Sequence, residues 1–344
     1  MYLNKIINMA KEAYLYKKLK DNKVRCDLCS HRCVVEESKK GKCGVRQNMG
    51  GVLHSLSYDK VISKNVDPIE KKPLFHFLPG TLSLSIATPG CNFRCFFCQN
   101  YEISQMPSDY GQIEGKNISP EQLVKDALKY NCKSISYTYT EPTIFFELAY
   151  DTSKLANAKN IKNVFVTNGF MTRQCLEMIE PYLDAANVDL KSFSEEFYKD
   201  KIGGKLKPVL NNIRIMKEMG IWVEVTTLII PGLNDSNEEL KKIAKFLVTT
   251  GNDIPWHISA YYPQYKSNIP PTDINRIQNA INIGKQAGLK YVYGGNISGS
   301  EYENTYCYKC GNLLIKRIGF SITENKIVNK ACPNCGLSID GIFI

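Results

Sequence analysis

Three cysteines, Cys91, Cys95 and Cys98, fall in the run CNFRCFFCQN with C-x3-C-x2-C spacing. A [4Fe-4S] cluster used for electron transfer takes one cysteine thiolate on each of its four irons. This loop offers three, and the next cysteine along the chain is Cys132. One iron is then left open to a substrate or cofactor, which the protein must position while excluding competing chemistry. A zinc loop completed by a distant fourth ligand is the competing reading of the same residues.

Such a loop works only if the elements around it bring further polar groups to the open iron. The run TLSLSIATPG, residues 81–90, alternates, is rich in β-branched and apolar residues, and ends in a Pro-Gly turn, so it reads as a strand with the cysteines just beyond its end. Further strands are expected at Ser134–Tyr139, Asn163–Thr167, Ala186–Leu190, Trp222–Ile230, His257–Tyr261 and Lys290–Tyr293. Helical patterns lie between them at Pro120–Tyr130, Pro142–Lys159, Thr172–Glu180, Pro208–Met219, Ser236–Thr249 and Asp273–Ala287. Ser119 before Pro120, and Ser236 with Glu239 three residues on, are helix-start signals. Alternation of this period means an α/β fold with βα units around a parallel sheet. In barrels of that type the functional groups sit on loops at the C-terminal ends of the strands. Those ends carry Thr140 and Glu141, then Thr167 and Asn168 with Gly169, then Asp189 and Lys191, then Pro231-Gly232. Each is ordinary taken singly; their register with the cysteine loop makes them a site. No general acid or base stands out, and Lys191, Tyr139, Tyr261 and Tyr262 are the candidates.

The segments CNFRCFFCQN, SYTYTEPTIFFE, VTNGF, NVDLKSF and TTLIIPGLND together resemble the radical S-adenosylmethionine (SAM) superfamily. The core looks like its activating-enzyme branch, which includes the pyruvate formate-lyase activating enzymes, and most closely resembles the AmmeMemoRadiSam-system radical SAM enzymes over nearly the whole chain. The resemblance implies an incomplete (β/α)6-type barrel in which Cys91, Cys95 and Cys98 carry the cluster. The open iron would hold SAM, which is reductively cleaved to give a carbon radical. It also implies Phe97 beside the adenine, Glu141 at the amino group, Thr140 among the cofactor-binding residues, and Thr167, Asn168, Asp189 and Lys191 facing the methionyl and ribose parts. An electron donor such as ferredoxin or flavodoxin is implied, and Memo-like and AMMECR-type proteins as partners. Two departures count against a plain glycyl-radical-enzyme activase, the first alternative. Tyr139-Thr140 replaces the usual Gly-Gly, and Val166 stands where activating enzymes carry an Asp.

The remaining cysteines of the thirteen divide into two sets and a pair. Cys307/Cys310 and Cys332/Cys335 form two C-x2-C knuckles, each followed by glycine, which is the signature of a tetrahedral four-cysteine site in a zinc-ribbon or rubredoxin-like module. About forty residues cannot build an adequate core alone, so a metal there is a folding determinant. Cys26, Cys29, Cys33 and Cys43 suffice for one zinc or a second cluster, with zinc preferred; His31 is a substitute ligand or, as a lone histidine in a helix-turn-loop, an exposed surface residue. Cys132 and Cys175 read as buried thiols.

The expected organisation is a basic helix and cysteine-rich segment over residues 1–78, a barrel over 79–300 and the four-cysteine module over 301–344. No apolar run is long and charge-free enough to span a membrane. Residues 1–20 lack a signal-peptide pattern. An oxygen-sensitive cluster therefore points to the cytoplasm and to oxygen-poor conditions. The net charge of +10 is concentrated at the start of the chain. A nucleic-acid-binding or RNA-modifying protein is the second alternative, but a phosphate-tracking surface needs a basic stripe reaching the active site, and the barrel segment is nearly neutral.

Overall fold

The computed structural model describes residues 10–297 and 301–343. Its centre is an eight-stranded sheet. An edge strand, β1 (Ser63–Pro68), runs antiparallel to β2 (Leu82–Ala87). Six βα steps follow, starting with α1 (Pro120–Lys129) and β3 (Ser134–Tyr137). Next come α2 (Phe146–Asn157), β4 (Lys162–Thr167), α3 (Arg173–Ile179), β5 (Ala185–Asp189) and α4 (Leu206–Glu218). The last are β6 (Trp222–Ile229), α5 (Asn237–Gly251), β7 (Trp256–Ala260), α6 (Ile274–Ala287) and β8 (Val292–Gly295). From β2 to β8 every neighbour is parallel and in chain order, so all these strands end at one rim. Among the described residues β1 and β8 remain unpaired edges, as an incomplete barrel requires.

The inner parallel strands are buried on both faces; β3 is buried at all four residues. That is why they read as apolar runs rather than clean alternations. Caps fix the helix starts, since Ser119 and Ser236 accept backbone N–H groups from Gln122 and Glu239. The expected Pro142–Lys159 helix begins as a 3-10 turn over Pro142–Phe145, capped by the Glu141 side chain. A short helix over Glu195–Asp200 was not anticipated.

The N-terminal segment corrects two expectations. In place of a basic helix, the described part from residue 10 onward forms strands, including Lys11–Glu12 and Tyr16–Lys18; residues 1–9 lie outside the described residues. The cause is tertiary. The Tyr14 N–H donates to Glu147, while its hydroxyl and the Lys11 ammonium reach Asp151 on α2, partnerships that override the local helix propensity of the run. Nor does His31 sit on an exposed helix-turn. It lies between the strands Val24–Cys26 and Val34–Val35, half-buried against Phe170, with Nε2 2.8 Å from the Asn92 carbonyl.

At the other end, strands Thr305–Tyr306, Leu313–Ile318 and Ser321–Asn325 form a small antiparallel sheet. Its core residues Cys307, Leu314, Ile315, Cys332 and Ile339 pack with Phe75, Tyr291 and Tyr293 of the barrel. Arg317 is buried there, donating to the Phe75 carbonyl at 2.9 Å with its guanidinium 4.1 Å from the Phe75 ring centre.

Candidate active site

The cysteine loop leaves the end of β2 and is held from several sides. Phe93 packs against Phe170 and Tyr198, and Arg94 N–H donates to the Ile202 carbonyl at 2.9 Å. Gly204 passes so close that a Cβ there would lie 2.5 Å from the Phe93 ring. Phe93 N–H points at Cys91 Sγ (3.4 Å), and Cys98 Sγ lies 3.1 Å from Ser104 Oγ. Among the described residues, only the four C-terminal thiols bring their ligand atoms within 4.8 Å of one another. Cys91, Cys95 and Cys98 stand wider than that and line a cavity, which suits a polynuclear cluster better than a single ion. Burial, then the neighbouring Glu141 carboxylate, pushes the Cys91 thiol up; burial lifts Cys95 to about 12. Such thiols become thiolates only through a bound metal.

That cavity, of about 310 Å³, is lined by the three cysteines together with Phe97, Thr140, Glu141, Thr167, Asn168, Asp189 and Lys191. Each polar group has a defined partner. The Glu141 carboxylate accepts from Thr143 N–H (3.0 Å), Thr143 Oγ1 (2.5 Å), Thr167 Oγ1 (2.7 Å) and Asn168 N–H (2.8 Å). These bonds draw its pKa down, but burial outweighs them and leaves it raised. Asn168 in turn donates to Asn92 Oδ1 at 2.7 Å, tying the end of β4 to the cysteine loop. The turn requires Gly169, whose φ is +69° and where a Cβ would meet Val188 at 2.8 Å. Lys191 pairs with Asp189 at 2.9 Å. Burial pulls its pKa down, yet Asp189 and Cys95 more than reverse this, so Lys191 stays charged.

Tyr139 has a glycine-like backbone with φ +61°. That conformation costs a non-glycine residue about 1–2 kcal/mol. Its anchors offset the strain: the hydroxyl donates to Asp67, the carbonyl accepts from Asn100 Nδ2 (2.8 Å), and Lys72 lies 4.5 Å from the ring centre. Burial depresses Lys72 to about 8, with Asp67 opposing the shift.

Comparison with known proteins bears on this geometry directly. The radical SAM superfamily model matches residues 85–247, the stretch that carries the cysteine loop and strands β3–β6. An uncharacterized protein of Methanocaldococcus jannaschii is 46% identical over 334 residues, covering 96% of this chain and 99% of that one. The chain belongs to the radical SAM superfamily. It is an enzyme, and the superfamily implies a [4Fe-4S] cluster and SAM. The pyruvate formate-lyase-activating enzyme of Clostridium pasteurianum is 22% identical over 191 residues, 52% of this chain and 77% of that one. The crystal structure of a radical SAM methyltransferase from Sphaerobacter thermophilus superposes with a TM-score of 0.50 at 15% identity, over 69% of this chain and 71% of that one, a likeness of fold.

Two of the residues weighed for proton transfer fall outside the cavity of this radical SAM enzyme. Tyr261 is fully buried and bonds Ser267 Oγ at 2.7 Å. Tyr262 instead lines a second, wider cavity of about 480 Å³ with Glu70, Phe75, His257 and Phe320. Lys71, Thr226 and Ser259 line both cavities, so the two adjoin. Asn92, Asn100, Ser104 and Lys71 escaped sequence reasoning. Asn92 directly follows Cys91 and Asn100 lies two residues beyond Cys98, but asparagine in a loop is unremarkable without the fold.

The C-terminal thiols form a compact set, with Cys307 and Cys335, and Cys310 and Cys332, each 3.7 Å apart. The group could hold a single metal ion. Cys132 and Cys175 are buried free thiols.

Proposed function

We propose that this enzyme reductively cleaves SAM at a [4Fe-4S] cluster on Cys91, Cys95 and Cys98 and directs the resulting carbon radical at a substrate or partner protein. The observation that carries this reading is the single cavity shared by three non-converging thiols and the polar strand ends. When bound there, the cluster supplies one electron that breaks a sulfur–carbon bond of the sulfonium. The chain's own residues bind and orient. Phe97, 2% exposed, offers an apolar surface for the adenine. Glu141, its carboxylate already engaged by four donors, sets the Thr167–Asn168 turn and presents negative charge to the methionyl amine; Thr140 flanks it. Lys191 and Asp189 form a charged pair suited to the carboxylate and ribose hydroxyls. The adjoining cavity, with Tyr262 and His257, is the place for the substrate.

We assign the chain to the AmmeMemoRadiSam-system branch, on the same segments that carry the resemblance, with Memo-like and AMMECR-type proteins as partners and zinc as the C-terminal metal. Ferredoxin or flavodoxin is the reductant, and the oxygen-poor cytoplasm the setting. The glycyl-radical-activase reading draws support from the pyruvate formate-lyase-activating relative, but Tyr139-Thr140 and Val166 depart from that pattern. The test is spectroscopic. Adding SAM to the dithionite-reduced, iron-loaded protein should shift its electron paramagnetic resonance (EPR) signal, because SAM fills the open iron. An unchanged signal at saturating SAM rules the assignment out.

A further inference from the structure

We propose that Cys26, Cys29, Cys33 and Cys43 hold a second [4Fe-4S] cluster, and that it passes single electrons to the one at the SAM site. The proposal rests on the SAM-site reading above for its destination, though not for its ligands.

The spacing of the thiols comes first. All four line one small cavity, walled also by Leu28, His31 and Ile144. They do not converge as the C-terminal four do, whose ligand atoms lie within 4.8 Å of one another. Within one chain, the compact set suits a single ion, whereas the wider set resembles Cys91, Cys95 and Cys98 and suits a cubane. This reverses the preference for zinc drawn from the sequence.

The second observation concerns charge. Arg46, 2% exposed, lines the same cavity and pairs through Nη2 with Glu147. Its Nε and Nη1 have no partner among the described residues. Asn92, 3% exposed, also lines the cavity, and its Nδ2 is likewise unpartnered. Buried donors without acceptors are costly unless a group absent from the protein atoms takes them. A cluster on four thiolates is negatively charged in both redox states and gains one more negative charge on reduction. A buried guanidinium beside it therefore favours the reduced form.

Position supplies the function. Asn92 follows Cys91 in the chain, so the residue lining the N-terminal cavity is bonded to a ligand of the SAM-site cluster. Its carbonyl meets His31 Nε2 and its Oδ1 accepts from Asn168, at 2.8 and 2.7 Å. On the outer side the exposed Lys42 lines the cavity, with exposed Arg94 donating to the Lys42 carbonyl at 3.0 Å. A basic entry of this kind suits an acidic one-electron carrier of the iron–sulfur or flavin class. The carrier is oxidised by one electron and the N-terminal cluster goes from its 2+ to its 1+ state. That cluster returns to 2+ as the SAM-site cluster goes from 2+ to 1+, and no atom or proton is transferred.

The test uses the full chain, reconstituted anaerobically with iron and sulfide, with iron, acid-labile sulfide and zinc counted and EPR recorded after dithionite. The C-terminal site cannot contribute labile sulfide, so sulfide counts cubanes. Wild type should carry about eight sulfides, and the Cys91→Ser/Cys95→Ser/Cys98→Ser protein about four with a surviving cluster signal. Cys29→Ser/Cys33→Ser should also keep about four, still shift its signal with SAM, and accept electrons from dithionite but much more slowly from reduced flavodoxin. A wild type with about four sulfides and zinc at the N-terminal thiols overturns the proposal, whether or not the variants fold. If the triple variant keeps all its sulfide while Cys29→Ser/Cys33→Ser loses it, the SAM-site reading fails and the N-terminal assignment stands.

Discussion

Replacing His76 with glutamine should flatten the acid limb of the protein's stability profile. His76 is 1% exposed beneath the C-terminal module, with Nδ1 2.7 Å from the Asp340 carbonyl and Nε2 2.6 Å from Tyr293 Oη. Burial lowers its pKa from 6.5 to about 4, with Arg317 and His257 adding to the shift and Glu224 opposing it. The neutral ring donates from Nδ1 and accepts at Nε2, so a second proton would leave the Tyr293 hydroxyl facing a donor. Because the folded pKa lies below the unfolded one, the unfolded chain takes the proton first as pH falls. The stabilisation is complete above about pH 6.5 and is lost as pH drops toward 4. From those two values the loss is about 2 kcal/mol by pH 5 and about 3 kcal/mol by pH 4. The assay is anaerobic urea unfolding of metal-loaded wild type and His76→Gln from pH 8 to pH 4.5. Carboxylates and the metal sites titrate in both proteins, so the difference between the two slopes isolates His76. Parallel slopes would refute the reasoning.

Three further outcomes are expected. Glu141→Gln turns an acceptor-only group into one whose NH2 faces the Thr143, Thr167 and Asn168 donors, so SAM binding measured by equilibrium dialysis should weaken about tenfold or more while iron content holds. Gly204→Ala forces the Phe93 ring away from its 2.5 Å approach, and the packing strain of about 1–3 kcal/mol should appear as faster cluster loss on exposure to a chelator, with the secondary structure intact by circular dichroism. Cys332→Ser should remove the C-terminal metal and lower the thermal midpoint, because Cys332 sits in the small core shared with Phe75 and Tyr291, but should leave the SAM-site iron in place by EPR.

The parallel strands and the cysteine loop were legible because their signals are local. A strand buried on both faces shows as an apolar run, and three thiols within eight residues need no tertiary knowledge to be read together. β1 was not legible, because an edge strand with Lys64, Asn65 and Val66 exposed has neither the apolar run nor a clean alternation. The N-terminal helix was misread because Lys11 and Tyr14 find their partners at Asp151 and Glu147, more than a hundred residues away. The strand-end residues Glu141, Thr167, Asn168, Asp189 and Lys191 are singled out in the sequence by register alone, and in the fold they line one cavity. Tyr261 and Tyr262 obeyed the same register but follow β7, where the first is turned into the core and the second lies half-exposed over the neighbouring cavity. Arg46 was invisible as anything but a basic residue, since its burial and its partner Glu147 arise only in the folded chain.

The central claim is tested most directly by incubating the anaerobically reconstituted enzyme with SAM and dithionite and resolving the nucleosides by mass spectrometry. Wild type should convert SAM to 5′-deoxyadenosine or 5′-methylthioadenosine, the product identifying which sulfur–carbon bond is cut, and Cys95→Ala should form neither. Equal product from Cys95→Ala, or intact SAM in a wild type that carries the full cluster and binds SAM, would contradict the account.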